Sequence, residues 1–176
     1  MKQIKIGSRI AAVCLGTALC GACAPVTPEA VPSAKALPSD PDRIGYAVGP
    51  CRGTCPVYSF SIAADRISYF VGERHTATAG RVAARGDPML FNRLKAILQP
   101  LRPGARNRAI QQENCEPYYT DQQVVTVTWG WESDESRSLS LDLGCADPRH
   151  AEVRDTLSRV RRLLPIDDHV GRATPF

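Results

Sequence analysis

The chain has 176 residues, 43% of them hydrophobic and 23% charged, with a formal net charge of +4. That length allows one domain with a processed leader. Lys2, Lys5 and Arg9 carry three of the positive charges, so the remainder stands near +1 and gives no reason to expect a nucleic-acid partner.

The N-terminus sets the class. The basic residues Lys2, Lys5 and Arg9 precede an apolar run over 10–19. That run is too short to span a bilayer, which needs roughly 20 residues. Small residues and Cys23 follow, and the order basic, apolar, small reads as a secretory signal peptide over 1–22. Leu19-Cys20-Gly21-Ala22-Cys23 resembles a lipobox, with Cys20 where leucine is usual. Cys23 is therefore the expected lipidation site, and cleavage by a general signal peptidase is the alternative. Two or more acyl chains would hold the protein stably on a membrane. Ala24 after Cys23, in place of aspartate, resembles the sorting signal for outer-membrane delivery in some bacteria. The expected location is the cell envelope, facing the periplasm.

Residues 23–42 read as the lipidated cysteine and a tether. Pro25, Pro28, Pro32, Pro38 and Pro41 alternate with small residues and show no helical or strand period. Such composition stiffens a linker and holds a domain off a surface. The globular part spans 43–170, with a short tail over 171–176.

A first strand is expected over 44–48. Two glycines and two prolines mark a turn over 49–56. Tyr58, Phe60 and Ile62 alternate with Val57, Ser59 and Ser61, which is the period of a strand. A turn over 63–66 leads into a strand over 67–71, and 75–79 reads as a weaker one. Asp87-Pro88 places an N-cap acceptor before a proline at a first helical position. Leu90, Leu94, Ile97 and Leu101 share one face, and Pro100 and Pro103 end that helix. Val125, Val127 and Trp129 pair in a hairpin with Leu139, Leu141 and Leu143. Asp147-Pro148 starts a second helix, whose stripe is Val153, Leu157, Val160 and Leu164. The order βββαββα predicts an α+β two-layer sandwich: a largely antiparallel sheet of about five strands, with two helices on one face.

The segment Cys51-Arg52-Gly53-Thr54-Cys55-Pro56-Val57-Tyr58 resembles the hallmark of a bacterial domain-of-unknown-function family, number 6438. Its pattern is Cys-x-Gly-x-Cys-Pro-x-Tyr, then a strand, a turn and an aromatic-x-Gly ending. Tyr69 to Gly72 supply that ending here, and the likeness covers roughly residues 43–169. The family often has Asp-Gly in the turn. Arg66 follows Asp65 in this chain, so a different turn type is expected. The resemblance implies a fold and an envelope setting. It carries no known activity and no catalytic residues.

Once Cys14 and Cys20 leave with the signal peptide and Cys23 is lipidated, Cys51, Cys55, Cys115 and Cys145 remain. An even set in an oxidising compartment suits a disulfide framework, with three connectivities open. Cys51 and Cys55 suit a local staple in a turn, because a strand and not a helix follows them. A thiol–disulfide redox pair is the alternative reading, and small-ligand or metal binding a third. His75, His150 and His169 are scattered and read as surface residues, and Glu132, Asp134 and Glu135 as a solvated turn. No hydrolase, P-loop or zinc-protease motif occurs, so neither catalytic residues, nor a metal site, nor a cofactor is expected. Trp131, Tyr118 and Tyr119 form a candidate contact surface for an envelope protein or the cell wall, with plain packing as the bland alternative.

Overall fold

The computed structural model describes residues 40–84 and 87–171. The signal peptide expected over 1–22, the expected lipidation site Cys23, the stretch read as a tether as far as residue 39, and residues 172–176 lie outside the described residues. Seven strands form one mixed sheet: β1 Arg43–Val48, β2 Val57–Ala63, β3 Ser68–Arg74, β4 Gly80–Ala83, β5 Arg108–Ile110, β6 Val124–Gly130 and β7 Ser136–Asp142. Their spatial order is β4-β3-β2-β1-β6-β7-β5. Every neighbouring pair is antiparallel except β5 with β7. Three helices accompany the sheet: α1 Leu90–Leu98, α2 Ala151–Leu163 and the single turn α3 Asp167–Val170. The fold is α+β, as expected, but with seven strands where about five were anticipated.

Alternation explains the layers. Ile44, Tyr46 and Val48 of β1, Phe60 and Ile62 of β2, and Val125, Val127 and Trp129 of β6 are buried, while their neighbours in sequence are more exposed. They share one core with Leu90, Leu94 and Leu98 of α1 and Val153, Leu157 and Val160 of α2. α2 thus buries the stripe read from its sequence, whereas in α1 Leu98 is fully buried and Ile97, counted in the expected stripe, is only partly so. The opposite face of the sheet carries Gly45, Ala47, Ser59, Ser61, Thr126 and Ser140, and Thr126 and Ser140 bond across the strands at 2.9 Å.

Each Asp-Pro pair opens a turn just ahead of its α-helix rather than capping the helix itself, as α1 starts at Leu90 after Met89 and α2 at Ala151 after His150. Asp147 accepts the Arg149 N–H at 2.9 Å and caps the 3₁₀ turn Pro148–His150, which runs into α2. Asp87 accepts the Met89 N–H at 2.8 Å one turn ahead of α1. The weak strand expected over 75–79 is a turn instead, and the strand follows it as β4. Gly72 explains this. A Cβ there would stand 1.9 Å from the Thr78 carbonyl oxygen and 2.5 Å from Thr76 Oγ1. The turn folds back onto bare backbone, and only glycine leaves room for it. Its outer side is tied to α3, with Thr78 N–H donating to the His169 carbonyl at 3.0 Å and Ala77 N–H to that of Val170 at 3.3 Å.

The turn between β2 and β3 places a residue other than glycine in a glycine-favoured conformation. Arg66 takes φ +70°, the left-handed conformation that glycine adopts without cost. No helix among the described residues is long and apolar enough to cross a membrane.

Candidate functional site

Both disulfides lie at one end of the sheet, the end where β1 finishes and β6 begins. Cys51 bonds Cys55 and Cys115 bonds Cys145, with Cα separations of 5.8 and 5.5 Å. These distances fall within the ordinary range for such bridges. β2 follows Cys55, so no helix N-terminus is present to stabilise a thiolate there.

The first loop is held from inside. Gln123 is only 3% exposed, and its side-chain amide donates to the carbonyls of Gly49 at 2.7 Å and Pro56 at 2.8 Å. One buried side chain thereby closes both ends of the Cys-x-Gly-x-Cys loop. At the rim Arg52 N–H donates to the Asp121 carbonyl, and the Arg52 guanidinium stands 3.8 Å from the Asp121 carboxylate. Both side chains are exposed, so that ion pair adds little.

The second loop, residues 116–123, carries the aromatic pair. Its Glu116–Pro117 bond is cis. Ala146 N–H donates to the Pro117 carbonyl at 3.0 Å and Tyr119 N–H to the Gly144 carbonyl at 2.8 Å. Tyr118 bridges Cys145, and its hydroxyl donates to Asp142 at 2.7 Å. That hydrogen bond to a carboxylate holds the Tyr118 phenol above its ordinary range. Beneath lies Asp147, buried and accepting from the Arg149 side chain and backbone and from Glu116 N–H. The Arg149 guanidinium, then these N–H groups, keep its carboxyl far below the usual carboxylate range.

The three aromatic residues singled out in the sequence separate. Tyr119 is 61% exposed on a braced loop, and Tyr118 is half-buried beside it. Trp131 is 3% exposed and belongs to the core. Its N–H donates to the Glu135 carbonyl at 3.1 Å, which extends the β6–β7 pairing past the strand end. The inward parity of Trp129 thus continues, and Trp131 contributes nothing to an exposed surface.

A concavity lies on the helix side of the sheet. It has a volume of about 580 Å³ and is lined by Ala83 and by residues 164–169, including Asp167, Asp168 and His169. His169 is not a free surface histidine. Its ring stacks on Phe70 at 5.2 Å, and Nδ1 meets Thr78 Oγ1 at 3.2 Å. Phe70 in turn stacks on Tyr58, the last residue of the hallmark motif. Arg161 donates to the Tyr58 hydroxyl at 2.9 Å and to Asp167 at 2.8 Å. Burial holds the phenols of Tyr58 and of neighbouring Tyr46 above the ordinary range, so both are neutral at physiological pH. Sequence reading missed this row, because no local spacing joins Tyr58 to residues 161–169.

His75 is exposed in its turn, while His150 is half-buried with Nε2 against the Asn114 carbonyl at 3.1 Å. Glu132 and Asp134 are exposed between β6 and β7, at the other end of the sheet from the disulfides. Among the described residues no three His, Cys, Asp or Glu side chains gather as metal ligands.

The family described as Domain of unknown function (DUF6438) matches residues 42–164, which spans β1 to the end of α2. No curated protein matches the chain. No solved structure matches it either.

Proposed function

The chain belongs to the DUF6438 family, and from that premise we propose that it is an envelope lipoprotein whose folded domain is a disulfide-stapled binding module. A lipid on Cys23 and the proline-rich segment after it hold the domain at the outer membrane, facing the periplasm. The end bearing Tyr119 meets an envelope protein or the cell wall.

One observation supports this reading above the others. β1 starts at Arg43 between Ala63 and Gly130, and its approach is fixed there by Asp42, whose N–H donates to the Gly130 carbonyl at 2.9 Å. Both disulfides and Tyr119 lie at the far end of the same strands. A strand of six residues spans roughly 17 Å. A domain tethered at Arg43 therefore directs its most heavily braced, aromatic surface away from its attachment. Rigid aromatic side chains make contacts at low entropic cost.

The test has two arms. Intact mass of the membrane-purified protein should report acyl chains on Cys23, and Cys23→Ala should release the domain from the membrane fraction. A photo-crosslinking amino acid at position 119 should capture a partner that the same group at position 134 does not. A soluble, unacylated product would refute the anchor, and identical capture from both positions would refute the contact surface.

A further inference from the structure

The two edges of the sheet are treated differently. At the β5 edge, Asn114 Nδ2 donates to the Ala109 carbonyl at 2.8 Å and blunts the strand. At the β4 edge the ladder can be followed residue by residue. Ala84 N–H donates to the Ser68 carbonyl at 3.1 Å, and the register then pairs Tyr69 with Ala83, Phe70 with Val82 and Val71 with Arg81. In an antiparallel pair, alternate residues bond inward and the others point their N–H and C=O away. Ala84, Val82 and Gly80 therefore bond to β3, while Ala83 and Arg81 direct their backbone groups outward. Among the described residues no hydrogen-bond partner meets those outward groups. Unpaired edge groups of this kind are a template for another strand.

The surroundings say what strand would fit. Val82 shares the core-side face with Phe70, and the concavity formed by Ala83 and residues 164–169 lies on that side. Asp168 contributes a carboxylate there that has no partner among the described residues, and Asp167 one whose Oδ1 accepts from Arg161. On the other face Arg81 lies over the Tyr69 ring at 3.7 Å.

We propose that the β4 edge takes up an extended polypeptide segment by strand addition, with a lysine or arginine of that segment facing Asp168 in the adjoining groove. Backbone pairing to Ala83 and Arg81 supplies affinity, and the alternating side chains supply selectivity. The residues on either side of the basic one face the Arg81–Tyr69 pair, so a second cation is disfavoured there and a small or acidic residue accepted. This site is separate from the Tyr119 end and does not depend on the reading given for it.

Fluorescence anisotropy with the full chain in detergent tests this, using a labelled decapeptide of alternating lysine and threonine. Saturable binding is expected, at least tenfold tighter than for the glutamate–threonine counterpart. Ala83→Pro removes one outward N–H and leaves the β3 ladder intact, so it should weaken binding at least tenfold. Asp168→Asn should weaken it about three- to tenfold. A lysine peptide N-methylated at alternate amides needs no change to the protein and should bind in only one of its two methylation registers. Absence of binding at millimolar peptide would overturn the proposal. So would equal affinity for the glutamate peptide, or indifference both to Ala83→Pro and to methylation. A dimer in sedimentation that Ala83→Pro dissociates would overturn it in favour of a second copy as the occupant.

Discussion

Arg161 Nε donates to the Tyr58 hydroxyl at 2.9 Å across 103 residues of chain. The contact joins the last residue of the Cys-x-Gly-x-Cys-Pro-x-Tyr motif to α2, and Arg161 passes the connection on to Asp167. The motif's tyrosine thus couples the sheet to the C-terminal helices, and its cysteines close the loop before it.

Tyr58→Phe keeps the ring against Phe70 but removes the acceptor for a largely buried guanidinium. Hydrogen bonds to charged groups contribute about 1.5–3 kcal/mol, so a loss of about 1–2 kcal/mol is expected while Asp167 retains its share. Urea denaturation should show a lower midpoint with an unchanged slope. An unchanged midpoint would mean that Arg161 finds an equivalent acceptor.

Asp147 sets the response to acid. Its folded-state carboxyl ionises well below the ordinary range, so between about pH 4 and strongly acidic solution the folded chain holds fewer protons there than the unfolded one. The stabilisation is complete above the unfolded value and drains away as pH falls towards the folded one. Asp147→Asn should be less stable at neutral pH and lose less on acidification than the wild type. Denaturation midpoints measured from pH 7 to pH 2 would show the two curves converging; parallel curves would assign the acid response to other carboxylates.

The two disulfides differ in what they constrain. The Cys115–Cys145 bridge closes a separation of 30 residues and the Cys51–Cys55 bridge one of 4. By the chain-entropy relation, replacing both cysteines of the first pair by alanine should cost about 3–4 kcal/mol, and the second pair about 2 kcal/mol. Thermal unfolding of the two double variants checks the order. The reverse order would show that the short loop stabilises by native contacts through Gln123.

Arg66→Gly should stabilise the domain. Arg66 sits at φ +70°, where a β-carbon costs about 1–2 kcal/mol, offset in part by the greater freedom of glycine when unfolded. A net gain of about 0.5–1 kcal/mol follows, visible as a melting temperature a few degrees higher. The Asp65 carboxylate still accepts the Ile67 N–H at 2.9 Å, so the rest of the turn is unaffected.

The long elements were legible because each carries its own period. β1, β2, β6 and β7 alternate, and α1 and α2 show single stripes. β4 and β5 are different. Gly80–Ala83 and Arg108–Ile110 are four and three residues at the two edges, too short to show a period, and their strand character comes from β3 and β7 beside them. Trp131 stands two residues beyond Trp129 with the same parity, but its burial depends on pairing that persists past the strand end through the Trp131–Glu135 backbone bond, which no local pattern marks. The stapled end was half legible. The cysteines and Tyr119 stood out, but Gln123 looks like any polar loop residue until both of its carbonyl partners are seen. Arg66 shows the limit of turn chemistry: the neighbouring strands impose the left-handed backbone on a residue that does not favour it.

The placement of β1 has a consequence for biosynthesis. It is made first yet lies in the middle of the sheet, with β6 as one of its two neighbours. The ladder from Arg43 to Gly130 cannot close until the chain has left the ribosome as far as Gly130, well after Arg43 itself has emerged. The turn before β4 waits longer still, for His169 and Val170. The nascent chain therefore cannot complete a lasting domain from β1 to β4 alone, and these early strands stay open to chaperones until β6 and then His169 and Val170 have been made.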